Sequence, residues 1–222
     1  MRGRFITFEG GEGSGKSSHA AALAERLNAA GIKTVLTREP GGSAGAEIIR
    51  HVLLSGAAKP LGAETEAILF AAARDDHIRA TIAPALDQGQ WVICDRFIDS
   101  TRVYQGDLGD VDPRLIRGLE RITVGDRVPD LTFIMDVPAE IGMARASKRR
   151  GAGKVDRFES EAIEFHSRLR QAYAALAAAE PERCVMVDTT VTKEAVTGTI
   201  WATLVSRFGP LDAARARLTA AP

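Results

Sequence analysis

The chain has 222 residues and carries 29 Lys and Arg against 29 Asp and Glu, a formal net charge of zero. That balance gives no electrostatic reason to expect a nucleic-acid or membrane partner, and aromatics at 5% supply little for base-stacking platforms. At 45% hydrophobic the chain is too apolar for disorder, and its length suits one large domain whose core needs neither disulfides nor a structural metal.

Taken in chain order, short apolar runs alternate with helical patterns. Arg4–Phe8 reads as a strand that ends in glycines, and Ser17–Ala30 as a helix with Ala20, Leu23, Ala24 and Leu27 on one face. Gly31 caps that helix, and Lys33–Thr37 is a second strand before the Arg38–Gly42 turn. Helical patterns follow over Ala46–Leu54 and Ala63–Gln88, the latter with Pro84 expected to bend its last turn. Trp91–Cys94 is the third strand, Phe97–Gln105 and Pro113–Val124 are helical, and Leu131–Val137 is the fourth strand. Beyond it come a helix over Ala139–Lys148, a basic glycine-containing stretch, a long helix from Arg157 to about Ala179, a strand at Cys184–Val187 and a helix over Lys193–Ser206. Strands apolar on both faces and separated by helices predict an α/β fold, three layers around a five-stranded parallel sheet.

Cys94 and Cys184 sit in apolar strand runs and read as buried structural thiols. The four histidines lack paired metal-ligand spacing and read as surface or helix residues. No apolar run approaches a membrane span, and Met1 leads straight into a strand, so a cytoplasmic location without a targeting segment is expected.

Directly after the first strand stands Gly10-Gly11-Glu12-Gly13-Ser14-Gly15-Lys16-Ser17, which fits G-x-x-x-x-G-K-[ST]. The glycines let backbone N–H groups turn inward around phosphate oxygens, and the following helix adds its positive N-terminal end, with Ser18 in its first turn. Lys16 can reach the terminal phosphates of ATP, and the Ser17 hydroxyl can hold Mg²⁺. Guanine recognition by Asn-Lys-x-Asp fails, because Asn28 is the only asparagine. Transfer of phosphoryl to a small acceptor remains, and such transfer needs a second anion site and a lid against water.

Five segments then become recognisable in order: Phe8–Ser17, Thr37–Gly42, Phe70–Arg74, Asp95–Gly106 and Asp156–Glu159. Together they resemble the bacterial thymidylate kinases, over nearly the whole chain through about Ser206. The resemblance implies a P-loop fold, a single nucleoside monophosphate kinase domain over 1–208, a flexible tail over 209–222, and ATP-dependent conversion of dTMP to dTDP by a homodimer built through helices flanking the third strand. Arg96, beside Asp95 at the sheet's carboxyl edge, would hold the acceptor phosphate, with Asp95 close to Mg²⁺. Phe70 and Arg74 share a helix face and would meet the pyrimidine. Ser100, Thr101 and Gln105 would line the nucleoside, Tyr104 would pack against the sugar 2′ position, and Arg38 is a second candidate for the phosphate. Glu12 resembles the carboxylate that meets the sugar 3′-hydroxyl or metal-bound water.

Gly13 stands where eukaryotic-type members carry arginine, so another cation must face the transferred group. A basic lid over about 145–157, expected to close over ATP, offers Arg149, Arg150, Lys154 and Arg157, while Arg145 is placed to pack against adenine. Another nucleoside-monophosphate or small-metabolite kinase of this fold, and a P-loop ATPase or regulatory protein without a small acceptor, stay open as alternatives.

Overall fold

The structure, a computed structural model, describes residues 2–150, 158 and 161–211, and of Arg150 the backbone only. In chain order the elements are β1 (Phe5–Glu9), α1 (Lys16–Ala29), β2 (Thr34–Arg38), α2 (Ala44–Leu54), α3 (Gly62–His77), α4 (Ala83–Asp87), β3 (Trp91–Asp95), α5 (Ile98–Thr101), α6 (Pro113–Thr123), β4 (Leu131–Asp136), α7 (Ala139–Arg150), α8 (Ile163–Ala179), β5 (Cys184–Asp188) and α9 (Lys193–Phe208). Among the described residues five strands form one sheet, ordered β2-β3-β1-β4-β5 and parallel throughout.

β1 lies at the centre, and all five of its residues are buried because helices cover both faces of the sheet. Its side chains alternate between two cores. Phe5 joins Val92, Leu86 and Ile98 on one face, whereas Ile6 and Phe8 join Leu23, Leu27, Phe133 and Ile200 on the other. The carboxyl ends of β1, β3 and β4 therefore open side by side, and the loops that follow them share one crevice.

Helix boundaries and strand ends shift by a residue or two at several places, and three features of the helices differ more from the sequence expectation. The long helix before β3 is interrupted by a π turn at Ile78–Ile82 instead of bending in its last turn. Pro84 has no N–H to offer the carbonyl of Ala80, and the widened turn absorbs that loss one turn early. The helix after β3 likewise widens into a π segment over Arg102–Asp107, closed by the Leu108 N–H donating to the Val103 carbonyl at 3.0 Å. α8 begins at Ile163, behind the extended backbone of Ala162, six residues later than the charge-rich sequence suggested.

Lys154, Arg157, the Arg150 side chain and the stretch 212–222 of the expected tail lie outside the described residues. Both cysteines are free and buried as expected; burial pushes both thiols up, Cys184 to about 12, so neither is a reactive thiolate. All four histidines lie on helices, as expected. His19, His77 and His166 are buried and only His51 is exposed, because tertiary packing reaches round the helices that carry them.

Candidate active site

α1 starts at Lys16, so the glycine-rich loop delivers its N–H groups and the helix end to one place. Gly10, Gly13 and Gly15 adopt positive φ, which curls the loop. Ser14 is buried and its Oγ donates to the Gly11 carbonyl at 2.8 Å. Lys16 is also buried, and its Nζ donates to that same carbonyl at 2.7 Å. Burial, joined by the Arg96 charge, lowers the Lys16 pKa to about 8 against the pull of Glu12, Asp95 and Glu9. The Ser17 hydroxyl donates to Asp95 Oδ2, which brings a hydroxyl and a carboxylate together beside the loop.

A cavity of about 410 Å³ opens from this loop. Of the residues singled out in the sequence, Glu12, Gly13, Gly15, Lys16, Ser17, Ser18, Arg38, Phe70, Arg74, Asp95, Arg96, Ser100, Thr101, Tyr104, Gln105 and Arg149 all line it. Arg145 does not; it is exposed, and its Nη1 donates to the Thr189 carbonyl at 3.0 Å. Gly10 and Gly11 instead wall a smaller cavity behind the loop, with His166 and Tyr173.

Arg96 lines the cavity from the turn after β3. It occupies the left-handed region at φ 70°, with its N–H donating to the Phe8 carbonyl at 2.9 Å. From that turn its Nη2 donates to Glu12 Oε1 at 2.6 Å, and its Nη1 to the Gly10 carbonyl and to Ser100 Oγ, both at 3.2 Å. Burial pushes the Glu12 carboxyl up, but Arg96, with Lys16 and Arg149, outweighs it and holds the pKa near 2. Glu12 is thus a carboxylate at all working pH values, clamped between the loop and Arg96.

What fixes the Arg96 turn is a residue the sequence reading passed over. Glu9, completely buried at the end of β1, accepts from the Phe97 N–H (2.7 Å), the Ser100 N–H (3.2 Å), Ser100 Oγ (2.6 Å) and Tyr173 OH (3.0 Å). Burial, together with the Asp99 charge, raises its pKa to about 7 against the opposing pull of Arg96. The only advance signal for Glu9 was a carboxylate closing an otherwise apolar strand. Tyr173, 164 positions further on, carried none.

The far wall is built around a second buried pair. Arg74 Nε donates to Glu39 Oε2 at 2.8 Å, and its Nη2 to the Phe97 carbonyl (3.2 Å) and Thr101 Oγ1 (2.9 Å). His77 meets the other Glu39 oxygen at 3.1 Å and Thr37 Oγ1 at 2.7 Å. These bonds hold the Arg38–Gly42 turn, in which Glu39-Pro40 is cis. Phe70, half-buried, shows a ring to the same space. Arg38 is exposed and paired with Glu47 at 2.9 Å, and Arg50, also missed, lines the mouth nearby. Tyr104 presses edge-on to Phe158, at 5.2 Å between ring centroids, and its buried hydroxyl has no hydrogen-bond partner among the described residues.

The arrangement therefore brings two cationic groups into one cavity, Lys16 on the glycine-rich loop and Arg96 on the turn after β3, with Glu12 held ionised beside them. A family model described as thymidylate kinase matches residues 8–200. Thymidylate kinase from Nitrobacter winogradskyi is 60% identical over 214 residues, covering 96% of this chain and 93% of that protein. The Nitrobacter hamburgensis thymidylate kinase is 61% identical over 207 residues, covering 93% and 90%. Among solved structures, the crystal structure of thymidylate kinase from Ehrlichia chaffeensis superposes with a TM-score of 0.74 at 34% identity, over 92% of this chain and 100% of that one. The chain belongs to the thymidylate kinase family.

Proposed function

We propose that this chain transfers the γ-phosphoryl group of ATP to the phosphate of dTMP, giving dTDP and ADP. The observation that carries the reading is the single cavity in which Lys16 and Arg96 face each other across Glu12, so that a donor and an acceptor phosphate meet in one enclosure. At about 410 Å³ it is within the range for a small-molecule site, and its walls mix apolar rings with a few fixed polar groups. Family membership supports the choice of dTMP.

In this mechanism an oxygen of the dTMP phosphate attacks the γ-phosphorus, and the bond to the β–γ bridging oxygen breaks, with the charge passing to ADP. The residues position and neutralise; none forms a covalent intermediate. Lys16 turns from the Gly11 carbonyl to the donor phosphates. Arg96 holds the attacking phosphate, with Arg38 as its second cation, and Arg149 reaches the transferring group from α7. Glu12 keeps Arg96 aligned and meets the sugar 3′ side. Phe70 gives thymine a face, while Arg74 Nη1, Thr101 and Gln105 read its edge and the nucleoside.

Hard oxygen donors at Ser17 and Asp95 fit Mg²⁺, which takes few protein ligands and otherwise binds phosphate oxygens; no cluster of three metal-ligating side chains exists among the described residues. Ser17 and Asp95 would hold the ion, which supplies charge neutralisation to the phosphates when bound.

The test is ADP formation in a coupled assay with dTMP, dUMP, CMP and AMP in turn. The expected result is turnover that depends on acceptor and is fastest with dTMP. Preference for another monophosphate would make the chain a different kinase of this fold, and ADP release without acceptor would make it an ATPase.

Sugar selection gives a sharper check. Packed against C2′, the Tyr104 ring leaves no room for a 2′-hydroxyl. Tyr104→Phe removes only the hydroxyl and should keep the preference for deoxyribose. Tyr104→Val should raise ribonucleotide use relative to dTMP about tenfold. Equal losses on both sugars would reduce the ring to a packing role.

The same reading treats 1–208 as one kinase domain with its lid over about 145–157, acting as a cytoplasmic homodimer. Ile48 and Val52 on α2, Ile68 on α3 and Ile122 on α6 are exposed, and those helices pack in series, which supplies an apolar face for a second copy. Light scattering reads the dimer directly. No helix among the described residues is long and apolar enough to cross a membrane.

A further inference from the structure

The first turn of α7 is seated on the backbone of the phosphate loop through two glycines. Gly13 has φ +68°, and a Cβ placed there would lie 1.9 Å from the Gly142 carbonyl oxygen. From the other side, a Cβ on Gly142 would lie 2.5 Å from the Glu12 carbonyl oxygen and 3.1 Å from Val137 Cγ1. The nearest obstacle in each case is backbone, so no rotamer change makes room. Gly118 on α6 and Gly198 on α9 are helical glycines of a different kind, because a Cβ at either meets nothing within 4 Å. Glycine is a poor helix former, and in α7 the close approach to the loop is what requires it.

Seven residues further along, and so on the same helix face at about 10.5 Å of rise, stands Arg149. It lines the 410 Å³ cavity, and its charge helps to hold Glu12 ionised. Between the two, one turn beyond Gly142, Ala146 is completely buried. A seat, a packed small residue and a cation thus lie along one stripe of one helix.

We propose that Gly142 is a positioning residue: the Gly13–Gly142 contact fixes α7 on the phosphate loop and thereby sets the reach of Arg149 to the transferring phosphoryl group. The inference rests on the role given to Arg149 above. It also accounts physically for the missing loop cation, since an arginine at position 13 would displace the helix that carries Arg149.

A double-mutant cycle tests it. Gly142→Ala should lower kcat about 10-fold to 100-fold, the cost of a displacement of about 1 Å at a reacting group, with the KM for dTMP changed less than about twofold. In an Arg149→Ala background the same substitution should change kcat less than about twofold, because the residue it acts through is gone. Gly118→Ala, with open space around it, should leave kcat at the parent value. Should Gly142→Ala not fold, Ala146→Gly loosens the helix between seat and cation without crowding anything, and it should lower kcat only while Arg149 is present. Losses that multiply across the cycle, or parent turnover in both Gly142→Ala and Ala146→Gly, overturn the inference and leave Arg149 its role. Parent turnover in Arg149→Ala alone removes that role, and the positioning by Gly142 with it.

Discussion

Lys16→Ala should lower kcat by about 10³-fold or more and leave the melting temperature of the free enzyme unlowered. The two halves of this expectation come from the same environment. Lys16 is buried in the phosphate loop beside a second cation, Arg96, and its ammonium leans on the Gly11 carbonyl. Removing it relieves a desolvated charge and a like-charge repulsion, so little folding stability is at stake. On the proposed reading the same ammonium is the point charge that the loop brings to the donor phosphates of ATP, and alanine cannot replace it. The depressed pKa adds a pH signature. In the free enzyme Lys16 is charged below about pH 8 and loses its proton as pH rises through that value, so kcat/KM for ATP should fall above about 8. In the complex, phosphate oxygens favour the charged form, so kcat should hold to higher pH. Near-parent turnover by a folded Lys16→Ala enzyme would withdraw the assignment of the loop.

The strands were legible almost to the residue because each is a short apolar run bounded by glycine or charge, buried on both faces in β1, β3 and β4 and only partly buried at the sheet edges, β2 and β5. Cys184–Val187 against the observed Cys184–Asp188 differs only at an exposed end. Helix interiors were harder. The π turns at Ile78–Ile82 and Arg102–Asp107 leave no mark on hydrophobic spacing, yet the second carries Tyr104 and Gln105 at the pocket wall. The start of α8 was hidden in a charge-rich stretch, where periodicity does not separate a helix from the segment leading into it.

The site was legible where chemistry follows from local order, and illegible where it is assembled from distant pieces. The phosphate loop and the Asp95-Arg96 pair announce themselves by residue type next to a strand end. Glu9, Tyr173, Glu39 and His77 do not, since each acts by touching a residue 35 or more positions away. Arg74 shows the intermediate case. Its spacing from Phe70 placed it correctly at the pocket, but most of its guanidinium is used internally, on Glu39, Phe97 and Thr101. It is therefore as much a girder of the pocket wall as a residue that lines it.

Arg96→Lys should raise the KM for dTMP by about 10²-fold and lower kcat as well, with the KM for ATP nearly unchanged. The charge survives this substitution; the fork does not. Arg96 spans Glu12 with one terminal nitrogen and the Gly10 carbonyl and Ser100 with the other, and a single ammonium cannot hold both sides while meeting an acceptor phosphate. Its backbone sits at φ 70° under the control of Glu9, so no neighbouring residue can supply a second guanidinium from the same point. Arg96→Ala should do more, because Glu12 then loses its principal counter-charge. The ordinary Glu12 carboxylate range lies near 4.5, and here the pKa is held at about 2. A depressed carboxylate contributes stability that is present above 4.5 and lost as pH falls through 2. With Arg96 gone, burial pushes the Glu12 pKa up against only Lys16 and Arg149. That contribution shrinks, and the variant should unfold at a higher pH on acid titration than the parent does. Glu12→Gln combined with Arg96→Ala should restore the parent's acid tolerance without restoring turnover, since the uncompensated charge is removed but the proposed phosphate ligand is still missing. If Arg96→Lys instead keeps the parent KM for dTMP, Arg96 is only the internal partner of Glu12, and the acceptor phosphate must be held by Arg38 and Arg50 at the mouth of the pocket.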